Sequence, residues 1–154
     1  MAHWYVATNG WNNNDGKSWS RPWITIQHAV SRLAPGDYLH IGPGNFRGAT
    51  ISAAAGCVSR TLAAPIRIVG EPGAVINNRS LLQLSAQRKI FPIISIAHWH
   101  FENLILDGSF HNSAEGVVAS GSDQSGIQLV GCTTRNFANT SIVVVEMQER
   151  CAVV

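Results

Sequence analysis

Between Ile24 and Leu33 the apolar side chains recur with the spacing of a helix. Ile26, Ala29, Val30 and Leu33 fall on one face. Pro22 suits the first turn and Pro35-Gly36 ends it, so the pattern predicts a helix over about residues 23-34. Past Asp37 the period changes. Short alternations of apolar and polar residues take over, each ended by Gly, Asn or Pro. They begin at Leu39 (LHIGPG), Ile66 (IRIVGEPG), Trp99 (WHFENLILDG) and Ile127 (IQLVGCTTRN), which are 27, 33 and 28 residues apart. The last two align without a gap: Trp99, Phe101, Leu104, Leu106 and Gly108 fall opposite Ile127, Leu129, Cys132, Thr134 and Asn136. A second set of short strands lies between these starts, at ATIS, LLQL, GVVAS and SIVVV, with a further one at PIISI.

Two or three short strands repeated about every 25 to 35 residues describe a coil. One such coil cannot bury its inward side chains alone. Stacked coils bury a continuous core, and each strand pairs with its equivalents above and below. The expected fold is all-β: a right-handed parallel β-helix of about four coils, its open first end covered by the amphipathic helix. Residues 1-154 then form one domain, with 1-37 as N-terminal strand, loop and capping helix and 38-154 as coils.

Composition agrees with strands and turns. Charged residues make up only 13% of the chain, and there are 14 Gly. The net charge is +2 with no block of Lys or Arg, so the basic face of a nucleic-acid binder is missing. No apolar run reaches membrane-spanning length. The start, MAHWYVATNG, lacks the charged-then-apolar order of a secretory signal. Virion, extracellular and cytoplasmic locations all stay open. Cys57, Cys132 and Cys151 have no metal-type spacing and allow at most one disulfide.

The segment from Trp4 to Gly48 carries a resemblance. Asn14-Asp15-Gly16, Thr25-Ile26-Gln27 with Ala29, Pro35-Gly36-Asp37 and Pro43-Gly44 follow the order found at the start of right-handed parallel β-helix proteins of the pectate lyase-like superfamily. The resemblance implies the fold. It implies no single activity, because lyases, hydrolases, epimerases, tailspike parts and non-enzymes share that architecture. No residue matches a lyase's calcium carboxylates or catalytic base, so no catalytic residue is assigned.

The residues themselves offer two candidate sites. In AHWHFEN, Trp99 and Phe101 point inward, which sends His98, His100 and Glu102 outward with roughly 6.5–7 Å between alternate residues. Aligning the starts of the repeats adds His40, Arg67 and Gln128 on neighbouring coils. This patch holds imidazoles, a carboxylate and a guanidinium, groups able to bind a glycan or a divalent metal. It equally describes an ordinary solvated sheet face. No cofactor is assigned. The second candidate is aromatic: Trp4, Trp11, Trp19 and Trp23 crowd the N-terminal segment beside Asn12, Asn13 and Asn14. Trp11 and Trp19 are candidates for stacking on sugar rings, whereas the set as a whole also suits a staple over the first coil.

The expected function is a non-catalytic β-helix unit for glycan contact or structural assembly, as in a phage or extracellular structure. The alternative is a polysaccharide-active lyase or hydrolase, or the N-terminal part of one. Polysaccharide is the expected partner. A homo-oligomer or stack burying the C-terminal valines near Val143, Val145, Val153 and Val154 is a further expectation.

Overall fold

A computed structural model describes residues 1–57, 63–77, 88–94, 97–108, 114–120, 126–136, 140–144 and 152–153. Within them the strands are β1 (His3–Val6), β2 (Tyr38–Ile41), β3 (Gly44–Arg47), β4 (Ile51–Ser52), β5 (Ile66–Gly70), β6 (Ala74–Asn77), β7 (Arg88–Ile94), β8 (Trp99–Glu102), β9 (Ile105–Asp107), β10 (Ala114–Ser120), β11 (Gln128–Val130), β12 (Thr133–Arg135), β13 (Thr140–Val144) and β14 (Ala152–Val153). The expected LLQL strand, Val145, Cys151 and Val154 lie outside the described residues.

The strands form three parallel sheets. The first runs β1-β2-β5-β8-β11-β14, the second β3-β6-β9-β12 and the third β4-β7-β10-β13. From β2 onward consecutive strands therefore belong to different sheets, while hydrogen-bonded neighbours are about a repeat apart in sequence. The protein is mostly strand in parallel sheets, as the repeat predicts.

Alternation selects the core. Leu39, Ile68, Phe101 and Leu129 share one inward row of the first sheet, and Phe46, Ile76, Leu106 and Thr134 share a row of the second. The third sheet adds Ile51 against Ile93. These residues, Thr134 apart, join Trp99, Ile66 and Ile127 in one buried cluster. Phe101 aligned with Leu129 and Leu106 aligned with Thr134 match the gapless repeat read from the sequence.

The helix is much shorter than the apolar pattern predicts. α1 spans Ile26–Val30, with Thr25 as its N-cap accepting from the His28 N–H. Its start is delayed because Trp23 is held in extended pairing with β1: Trp23 N–H donates to Tyr5 O, and Ala7 N–H donates to Trp23 O. Its end comes early because Ser31 Oγ and Arg32 Nη1 both donate to His28 O. The apolar face is nonetheless buried as expected, Leu33 included.

Asp37 explains why the helix, the Pro-Gly break and the next strand follow so closely. It is 2% exposed. Its carboxylate accepts from Ala2 N, from Trp4 Nε1 at 2.8 Å and from Ala34 N. One buried acid thus ties the first strand to the turn after α1. Three donors offset the cost of removing the carboxylate from water.

Candidate functional site

The outward face of the first sheet gathers most of the chain's chemistry. One row runs His3, Tyr38, Arg67, His100, Gln128; the next runs Tyr5, His40, Val69, Glu102, Val130. Arg67, His100 and Gln128 are thus in register, as the repeat predicts. His40 is not in their row. Leu39 pairs with Ile68 and not with Ile66, which moves β2 by two residues and places His40 beside Val69. A two-residue shift preserves which side chains face outward, so His40 remains on the same face.

At the N-terminal side of this face the rings form a continuous platform. His3 stacks on Tyr38 with centroids 5.0 Å apart and meets His40 edge to edge, with centroids 5.1 Å apart. Tyr5 stacks on His40 at 5.1 Å, and Trp19 meets Tyr5 edge-on at 4.7 Å. The Arg67 guanidinium lies 5.6 Å from the centre of the Tyr38 ring. Arg67 also donates to Glu102 Oε1 at 2.8 Å, an ion pair between half-buried groups. The platform is therefore held on one side by a cation–π contact and a charge-assisted hydrogen bond.

The histidines of the platform are linked. His3 Nδ1 and His40 Nε2 are 2.8 Å apart, so one donates to the other. Glu71 Oε1 stands 3.6 Å from His40 Nδ1. Burial holds the His40 imidazole below the ordinary histidine value, and His3 pushes the same way, while Glu71 opposes. The platform is thus uncharged at His40 near neutral pH.

His98 and His100 do not form an open patch. His100 is only 5% exposed, and neither of its ring nitrogens has a hydrogen-bond partner among the described residues. His98 precedes β8 in the left-handed region, with φ 57°, so strand alternation does not apply to it. Its Nδ1 is also buried and unpartnered. It packs against Gly126, where a Cβ would collide with the ring. Burial, then Arg67, lowers the His100 pKa, with Glu102 opposing and His98 adding to the fall. Glu102 is held by Arg67. No three ligating groups gather round one point among the described residues, so the set His98, His100 and Glu102 is not a ready metal site.

The aromatic candidate divides. Trp4 stacks on Trp23 at 5.1 Å, and the Trp23 Nε1 donates to Asn14 O. These two rings staple the N-terminal segment. Asn12 donates to Thr25 Oγ1 and accepts from Ile24 N and Thr25 N, while Asn14 donates to Pro22 O. Their amides are spent within the protein. Trp11 is 63% exposed and Trp19 43%. Trp19 packs over Gly42 and against Tyr5, which joins it to the platform, whereas Trp11 has no ring contact among the described residues.

His3, Tyr5 and Tyr38 escaped the sequence reading. The alternation in HWYV carried the signal: with Trp4 and Val6 inward, His3 and Tyr5 share the outward face. Pairing that strand with YLHI would have placed both beside Tyr38 and His40.

No family model matches the chain, and no curated protein sequence does. Solved structures do resemble it. A pectate lyase, Pel9A, superposes with a TM-score of 0.53 at 18% identity over 86% of this chain and 47% of its own. A rhamnogalacturonan lyase gives a TM-score of 0.54 at 14% identity, covering 93% of this chain and 56% of its own. A GH136 lacto-N-biosidase from Eubacterium ramulus gives 0.52 at 15% identity, covering 87% and 34%. The chain spans about half the length, or less, of these neighbours. At such identities the likeness is one of fold.

Proposed function

We propose that the chain is a non-catalytic parallel β-helix unit that contacts a polysaccharide through the outer face of its first sheet. The observation that carries this reading is the ring platform of His3, Tyr5, Trp19, Tyr38 and His40, bordered by Arg67 and Glu102. Aromatic faces take up the C–H surface of a sugar, and fixed charged groups beside them orient its hydroxyls or carboxylates. The same reading takes the fold as a right-handed coil of about four turns with α1 covering its first end, and allows a place in a larger extracellular or virion assembly.

Glu71 and Glu102 border the same platform, which keeps the second reading, a polysaccharide lyase or hydrolase or the N-terminal part of one, in view. One experiment separates the two. Neutral and acidic oligosaccharides are titrated into the protein by calorimetry, and the same mixtures are assayed for new reducing or unsaturated chain ends. Saturable binding without chain cleavage, weakened about tenfold or about 1.4 kcal/mol by Tyr38→Ala or Trp19→Ala, supports the first reading. Cleavage replaces it with the second. No binding by either class overturns both.

A further inference from the structure

The geometry points to a two-imidazole transition-metal site between His3 on β1 and His40 on β2, with Glu71 as the carboxylate that orients His40. This inference does not rest on the glycan reading, although it uses two rings of the same platform.

The argument begins with the nitrogens. His3 Nδ1 and His40 Nε2 face each other at 2.8 Å. Two imidazole nitrogens this close are held by a single proton, or by an ion that accepts both lone pairs. Zinc bonds imidazole nitrogen at about 2.0–2.1 Å, so two such bonds at a near-tetrahedral angle need the nitrogens roughly 3.2–3.4 Å apart. The required opening is about half an ångström. His3 is exposed, so rotation of its ring supplies that movement.

The remaining ring nitrogen of His40 completes the case. Glu71 Oε1 lies 3.6 Å from Nδ1. A carboxylate there favours the proton on Nδ1 and leaves the Nε2 lone pair turned to His3. Carboxylate, imidazole and metal in this order are the usual outer support of a zinc-bound histidine. The stacking of Tyr5 on His40 fixes its ring plane further. On binding, His3 yields its Nδ1 proton, if it holds it, to its own Nε2 or to solvent, and both lone pairs go to the metal. With no third ligating group gathered there among the described residues, water completes the coordination. The site is accordingly open and of modest affinity, and it clamps β1 to β2.

The test is a zinc titration followed by imidazole nitrogen NMR and by thermal melting. Selective shifts of His3 Nδ1 and His40 Nε2 are expected, with a dissociation constant in the tens of micromolar. His3→Gln and His40→Gln should each weaken binding at least tenfold. Glu71→Gln should weaken it about tenfold, within the range for supporting residues. Zinc should raise the melting temperature of the wild type and leave that of His3→Gln unchanged. Because His3 is exposed, its variant keeps the fold and serves as the secure arm, checked by the unliganded melt. Absence of saturable binding up to 1 mM zinc overturns the site. So does binding that survives both histidine substitutions or is lost instead in His98→Gln.

Discussion

At the scale of single residues, Asp37 and His100 are opposite cases of a buried polar group. Asp37 has a donor for each role it plays, and removing it orphans two backbone N–H groups and an indole. Asp37→Ala should lower stability by about 3 kcal/mol or more, read as a fall in the denaturation midpoint. His100 is the reverse, since its nitrogens gain nothing from burial. His100→Leu should therefore raise stability by about 1 kcal/mol, and an unchanged or lower melting temperature would count against the unpaired state. Its lowered pKa also sets a pH dependence. The unfolded chain takes up the proton first, so stability is intact above the ordinary value of 6.5 and falls as pH drops through the lowered folded value. The leucine variant should have a shallower acid limb in melts between pH 7 and pH 5. Sequence alone placed His100 on the correct row beside Arg67 and Gln128. It gave no sign of the burial, because alternation determines only which side of a strand a residue faces and not what lies over it. Asp37 was read as part of a turn; its donors come from thirty or more residues upstream as well as from Ala34, and spacing does not reveal such partners.

Among the elements, α1 shows how tertiary contacts override periodicity. The apolar stripe Ile26, Ala29, Val30 and Leu33 was legible and is buried. The ends were not, because they are decided by Trp23 pairing with β1 and by side chains that return to His28 O. A helix of five residues depends on its cap, so Thr25→Ala should cost about 1 kcal/mol, measured by denaturant unfolding. Gly16 is a stricter position. Its φ is +69°, and an added Cβ would stand 2.4 Å from the Trp23 ring. Gly16→Ala should cost roughly 2 kcal/mol or more and shift the fluorescence of the Trp4–Trp23 stack. A variant with wild-type stability and emission would mean that the ring has room to move. The strands of the later repeats were more legible than the helix, since β8–β9 and β11–β12 share one spacing without insertion.

For the whole molecule, β12, β13 and β14 are the outermost strands at one end of the three sheets among the described residues. A strand edge of this kind offers hydrogen-bonding groups to another chain. Self-association at tens of micromolar is expected, through an interface of about 1,000 Å² or more, and light scattering measures it. A monomer at that concentration would mean that these edges are protected in solution. The repeat and the parallel architecture were legible because every level must bury the same inward pattern. The ring platform was only partly so, because it depends on how the first strands align. That dependence has a wider meaning in the two-residue displacement of β2. An even displacement of one level against the next leaves every residue on the side it faced, and the core accepts the one seen here because Ile68 stands where Ile66 would have been. Turn length then acts like the setting of a combination dial: lengthening one turn by two residues deals new neighbours to the surface, and to the interior one apolar partner in place of another, as Leu39 meets Ile68 instead of Ile66. The outer face is in this sense a rewritable array, open to new ligands by insertion as well as by substitution.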